Sequence, residues 1–191
     1  MPRGDQTLTL VCHPETPVPA VTGVAVRLRR TPDGGLSLSY QLSGDMGRLR
    51  IPVPKPPGPT DELWQHTCFE VFIANSGEAA YREFNFSPSG QWAAYAFFGY
   101  RQRDLDGGSF GSSISPQIAT RLSPGQLELN AVLAAGALPP QTGTLDLGLS
   151  AVVETIDGSL AYWALRHTTS RPDFHHRASF TFELADGEPP A

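Results

Sequence analysis

Glu70 and Glu83 lie on two segments that alternate in polarity, and Glu154 on a third, so strand geometry can bring carboxylates together on one face. Paired carboxylates do acid and base work in glycoside hydrolysis, and they equally hold sugar hydroxyls without catalysis; their separation decides between the two. Trp64 stands six residues before Glu70, just after a proline-rich stretch. A flat indole beside carboxylate and amide groups suits a sugar, because pyranose C–H faces stack on the ring while the hydroxyls hydrogen-bond. Trp92, inside WAAYAFF, reads as core. Nucleophilic catalysis finds little support: neither cysteine has a Gly-rich elbow nearby, and Gly107 to Gly111 is neither followed by a helical pattern nor supplied with a P-loop lysine. That stretch reads as a mobile loop, with Arg101, Arg103, Asp104 and Asp106 at a solvated hairpin end. His66 and Cys68 are two apart, and His175 and His176 are adjacent, which is not the ligand spacing of a compact zinc site; hydrogen-bonding loop histidines are expected.

The elements that must position these groups are strands. Prolines and glycines punctuate the whole chain of 191 residues, and between them lie short runs that alternate in polarity or are rich in β-branched and aromatic residues. These runs are 7–12, 23–30, 36–42, 48–53, 67–74, 81–87, 92–100, 113–122, 126–134, 144–155, 159–167 and 177–184. No window carries the i, i+3, i+4, i+7 pattern and caps of a core helix. About twelve short strands imply an all-β, antiparallel β-sandwich, jelly-roll or immunoglobulin-like, because a sheet with one apolar face must bury it on another. Hairpins are expected at Asp33-Gly34-Gly35, Ser87-Pro88-Ser89-Gly90 and Asp157-Gly158. Residues 52–59 read as a stiff connector or edge, since proline gives no N–H to a ladder, and 185–191 as a frayed tail. Alternation turns Phe69, Val71 and Ile73 to the core, along with Leu145, Leu147, Leu149, Ala151 and Val153. Glu70, Glu83, Asn85, Glu128, Asn130 and Asp146 would then share one polar face if their strands adjoin.

Composition narrows the function. With 40% apolar and 17% charged residues the chain suits one folded domain spanning 1–191. A net charge of −5 argues against a phosphate-backbone partner. Neither a membrane-spanning run nor a secretory apolar core stands out, which predicts a soluble, cytoplasmic protein, monomeric or homodimeric. Cys12 and Cys68 cannot build a disulfide scaffold and are expected as reduced thiols.

The segments LWQHTCFEVF, Leu63 to Phe72, and YREFNFSPSGQWAAYAF, Tyr81 to Phe97, resemble the DOMON superfamily and, within it, the type-nine carbohydrate-binding modules. Trp64, Phe69, Glu70, Asn85 and Gly90 stand at places comparable to the family's W-x-x-D-x-(apolar)-E-(apolar) strand and the N-x-(S/P)-x-G that follows. LGLSAVVETIDGSLAYWAL and RPDFHHR resemble the closing strands and the last binding loop. The resemblance implies a β-sandwich that binds a sugar on one sheet, non-catalytically, with no cofactor; in other branches the ligand is haem. Two aromatic rings would sandwich the terminal sugar while a Glu, an Arg and an Asn hold its hydroxyls. Carried over by position, Trp64 is one wall, Glu70 a hydroxyl acceptor, and Arg82 and Asn85 the remaining polar groups, although alternation sets Arg82 on the opposite face from Asn85. The second wall falls to Trp163 or to the loop with Phe174 and His175. Thr67 replaces the family's usual Asp, which removes a charge. Haem would need bis-His ligation or Met46, and a glycoside-active enzyme would use Glu70.

Overall fold

The computed structural model describes residues 6–105, 114–140 and 143–185. Its strands are β1 (Gln6–Cys12), β2 (Val21–Arg30), β3 (Leu36–Gly44), β4 (Cys68–Asn75), β5 (Tyr81–Phe86), β6 (Trp92–Gly99), β7 (Gln102–Arg103), β8 (Gln117–Ser123), β9 (Gln126–Leu133), β10 (Leu145–Glu154), β11 (Leu160–Ala164) and β12 (Phe182–Leu184). All their pairings are antiparallel. The first sheet runs β1-β2-β3-β9-β8 and the second β7-β6-β5-β4-β10-β11-β1, with β12 also on β10. Strand β1 belongs to both: Gln6 to Leu10 pair with β2, whereas Val11 and Cys12 pair with β11.

The sandwich core follows the alternation. Val24, Val26 and Leu28, the run Leu36, Leu38, Tyr40, Leu42, and Leu127, Leu129, Ala131, Leu133 pack from the first sheet. They meet Phe69, Val71, Ile73, Phe84, Phe86 and the five apolar alternates of β10 from the second. Across this core the Tyr40 hydroxyl donates to the Glu70 carbonyl at 2.7 Å, satisfying a phenol that is fully buried. The three expected hairpins join β2 to β3, β5 to β6 and β10 to β11. In the second of these Gly90 takes φ +89° while its N–H closes the turn on Ser87.

Three expectations are corrected. Residues 48–53 are no strand: Met46–Arg48 form a 3-10 turn, Leu49 makes a single bridge to Thr155, and Pro52 and Pro54 deny the segment a ladder. The proline-rich connector instead runs along the start of β6, where the Trp92 N–H donates to the Gly58 carbonyl and the Lys55 N–H to that of Ser89. The strand expected at 177–184 shrinks to β12, preceded by a 3-10 turn at Arg177–Ser179. There the Ser179 hydroxyl donates to the carbonyls of His176 and Phe174, and His176 Nδ1 accepts the Ala178 N–H; such local bonds compete with a ladder. The single polar face divides as well. Glu128 and Asn130 lie on the outer face of the first sheet, and Glu70, Glu83 and Asn85 on the outer face of the second. Residues 107–111 and 186–191 of the expected loop and tail lie outside the described residues.

The centre of the second sheet is buried on both faces. Every residue of β4 and β5 is buried, and Cys68, Phe72, Tyr81, Ala93, Tyr95, Phe97 and Val152 form a second apolar cluster on the side away from the core. Leu63 and Phe180 cover it from the connecting segments. Gly148 leaves room for this cover, because a Cβ there would meet the Phe180 ring at 2.9 Å.

Candidate functional site

The cover of the second sheet is incomplete, and it encloses a cavity of about 930 Å³. The floor is the outer face of the sheet: Glu70 and Phe72 from β4, Glu83 from β5, Tyr95 and Phe97 from β6, Val152 from β10 and Tyr162 from β11. The walls come from three segments, which carry Asp61, Glu62 and Trp64, then Arg101 and Arg103, then Pro172, Phe174 and His175.

Trp64 sits on the 3-10 turn Leu63–Gln65 at the mouth, 48% exposed. Its neighbour Leu63 anchors the turn in the outer cluster. Behind it Thr67 acts as a staple: its hydroxyl donates to the Arg50 carbonyl at 2.8 Å and accepts the Glu154 N–H at 2.9 Å. Glu154 receives the Arg50 guanidinium at 3.0 Å and His66 Nδ1 at 2.8 Å. Glu154 is therefore spent on holding this turn, and the carboxyl that accompanies Glu70 is Glu83.

Register makes Glu70 and Glu83 diagonal neighbours, since Glu70 pairs with Asn85 and Phe72 with Glu83. Residues so placed are roughly 7–8 Å apart along the backbone. Glu70 accepts Ser150 Oγ at 3.2 Å and Cys68 Sγ at 3.3 Å. Glu83 accepts Asn85 Nδ2 at 3.0 Å through Oε1, and its Oε2 faces His175 Nε2 at 3.8 Å. Burial pushes Glu70 up to about 7, against the pull of its two donors. Burial and the neighbouring Glu70 charge push Glu83 up to about 8. A carboxyl pair with these values retains protons near neutrality.

His175 is held by its neighbours. The Arg101 N–H donates to the Tyr81 hydroxyl oxygen at 3.2 Å, and Tyr81 contacts His175 Nδ1 at 2.8 Å. Burial, with the Arg101 charge, lowers His175 to about 4. A neutral imidazole accepting at Nδ1 carries its proton on Nε2, the nitrogen that faces Glu83. Asp173 clasps the two outer segments together, accepting the Tyr100 hydroxyl at 2.6 Å and the Arg101 guanidinium at 2.9 Å. Arg103 lies over the Tyr95 ring, 4.1 Å from its centroid, and Tyr95 donates to Asp61 at 2.9 Å. Among the described residues the two non-glycines with positive φ are Glu62 and Arg101, at +62° and +54°, and both line the cavity.

No family model matches the sequence, and no curated protein matches it. Solved structures do. A Bacteroides uniformis protein assigned to carbohydrate binding by inference superposes with a TM-score of 0.68 at 18% identity, covering 95% of this chain and 86% of that one. A family 9 carbohydrate-binding module from Caldicellulosiruptor kristjanssonii in complex with cellotriose gives 0.51 at 11% identity, covering 82% and 72%. A family 9 module from the same organism in complex with glucose gives 0.50 at 14%, covering 93% and 90%. The fold is that of the type-nine carbohydrate-binding modules.

On this fold Trp64, Glu70, Phe174 and His175 come together around the cavity. Arg82, Asn85 and Trp163 do not line it. Arg82 points to the core side of β5, where its guanidinium donates to the carbonyls of Ala137 at 2.8 Å and Leu138 at 2.6 Å. Trp163 pairs with Ala151 and packs in the sandwich core. Asn85 lies on the same outer face beside Glu70 but is fully buried and outside the lining, donating to Glu83; its Oδ1 has no partner. Arg101 and Arg103, expected at a solvated hairpin end, are cavity walls, because β7 pairs back onto β6. Phe72 follows from alternation, which turns it away from the core with Glu70, whereas Tyr95, Phe97 and Tyr162 were legible as strand residues only. The available signal was that Cys68 to Ala74 is apolar at nearly every position, the mark of a strand covered on both faces.

Proposed function

We propose that this domain binds a saccharide without turning it over, in the cavity on the outer face of the second sheet. The observation that carries the reading is a half-exposed indole at the mouth of an aromatic-walled cavity whose floor holds two buried carboxyls. Trp64 stacks on a sugar ring, Phe174 offers the facing wall, and Glu70 and Glu83 meet the hydroxyls. A carboxyl pair that retains a proton both donates and accepts, which matches the two-way hydrogen bonding of a polyol. The cellotriose and glucose complexes of similarly folded modules support the same ligand class.

Catalysis by Glu70 is the weaker reading. A glycoside hydrolase keeps one carboxyl protonated and the other ionised, so its site drives the two apart. Here burial raises both together. Haem fits poorly: among the described residues the cavity lining offers one imidazole, His175, whose Nδ1 is engaged by Tyr81, and no methionine. Met46 packs against the sandwich core instead.

Glycan-array screening followed by calorimetry tests the proposal. Trp64→Ala should weaken binding of the best sugar at least tenfold and leave the melting temperature nearly unchanged. Unaltered affinity in that variant would remove Trp64 from the site, and an array with no bound glycan would defeat the proposal.

A further inference from the structure

Resting on the saccharide reading, we propose that the cavity favours a sugar bearing a free amine, with the ammonium seated between Glu70 and Glu83. The charges around the cavity point this way. Among the described residues its lining carries four carboxyl side chains, Asp61, Glu62, Glu70 and Glu83, against two cations, Arg101 and Arg103. Both cations are already engaged: Arg101 pairs with Asp173 at 2.9 Å, and Arg103 lies 3.8 Å from Asp61, one of the four, while covering the Tyr95 ring; their charges reach Glu83 without ion-pair contact and only partly offset its burial. Among the described residues no Arg or Lys forms an ion pair with Glu70 or Glu83. The nearest basic group to Glu83 is the His175 imidazole at 3.8 Å, which is neutral.

The two carboxyls are also nine-tenths or more buried, at 2% and 5% exposure. Facing them are neutral groups: Cys68 and Ser150 at Glu70, Asn85 and His175 at Glu83. A buried carboxylate with no cation in ion-pair contact is costly, and the protein answers by retaining protons there. A ligand ammonium supplies the missing counter-charge. It keeps its own proton and the carboxyl gives one up to solvent, so binding releases protons. The surrounding Phe72, Phe97 and Tyr162 rings add the quadrupole attraction that a partly desolvated cation finds on aromatic faces. A neutral polyol takes the hydrogen bonds but leaves the second carboxyl protonated.

Calorimetry on the intact protein near neutral pH decides it with three β-1,4-linked disaccharides that differ at C2: chitobiose with free amines, N,N′-diacetylchitobiose, and cellobiose. Each is titrated in two buffers of different ionisation enthalpy. The expected result is at least tenfold tighter binding of the free amine than of either neutral sugar, with net proton release for the amine alone. Glu83→Gln and Glu70→Gln should each reduce that preference to threefold or less. The wild-type proton count needs no variant, so a misfolded substitution leaves the test standing. Equal or tighter binding of a neutral sugar overturns the amine preference and leaves the saccharide reading intact. A preference that survives both substitutions also overturns it, because the attraction would then come from the net charge of −5. Failure of all three disaccharides, together with an empty glycan array, defeats both readings.

Discussion

The outer faces of the two sheets are built by the same alternation and end differently. On the first sheet Arg27 and Arg29, Ser37 and Ser39, and Glu128 and Asn130 stand in rows beside one another, and Arg121 pairs with Glu128 at 2.9 Å in an exposed position. On the second, the corresponding rows are aromatic or acidic and lie under three chain segments. Outward-facing polar residues on the first sheet therefore stay hydrated, while Glu70 and Glu83 are stripped of water and change their proton affinity. Pointing away from the core is one property, and being exposed is another.

The most severe way to break that contrast is to truncate an outer aromatic. Phe72→Ala should cost about 3–5 kcal/mol, like a deletion in the sandwich core, whereas Ser39→Ala on the first sheet should stay within about 0.5 kcal/mol. Chemical denaturation measures both, and a Phe72 loss below about 1 kcal/mol would show the cover to be energetically idle. Gly148→Ala should follow at about 1–3 kcal/mol, because its Cβ would press on Phe180.

The buried acids sharpen the comparison through pH. Their folded values, about 7 and 8, lie above the ordinary carboxylate range, so the folded state holds more protons than the unfolded one. That contribution favours folding at low pH and is lost as pH rises from about 4.5 through 8. His175, lowered to about 4, acts oppositely between pH 4 and its ordinary value and offsets one of the two carboxyls there, so stability should fall gently from about pH 4.5 and more steeply above pH 6.5. Glu83→Gln should be more stable than the wild type at pH 8–9 by roughly 2 kcal/mol. Melting curves across that range settle the sign; a wild type that gains stability toward pH 9 contradicts the protonated pair. The smallest effect belongs to the first sheet, where Glu128→Gln should shift stability by no more than about 0.5 kcal/mol and leave sugar binding unchanged.

The candidate site was legible to different depths. Trp64 and Glu70 could be placed near each other because only a short turn separates them. Phe174 and His175 came through the resemblance of RPDFHHR to a binding loop. Trp163 and Arg82 do not line the cavity for one reason, that period two sends both to the core side of their strands. Alternation already set Arg82 opposite Asn85, and the same test applied to Trp163, two residues after the buried Ala161, would have sent it inward too. Arg101 and Arg103 carried no local signal, since their role depends on β7 folding back on β6 and on Asp173, some seventy residues later in the chain.

Strand positions, the hairpin turns and the inward set of each strand were fixed by residue type and spacing, because a period of two and a glycine or proline at a turn act over a few neighbouring residues. Which sheet would be roofed, which carboxyl would accompany Glu70, and how far the pair would be drained of water required contacts between segments scores of residues apart. Only the assembled chain sets those, since burial is a property of what comes to lie on top.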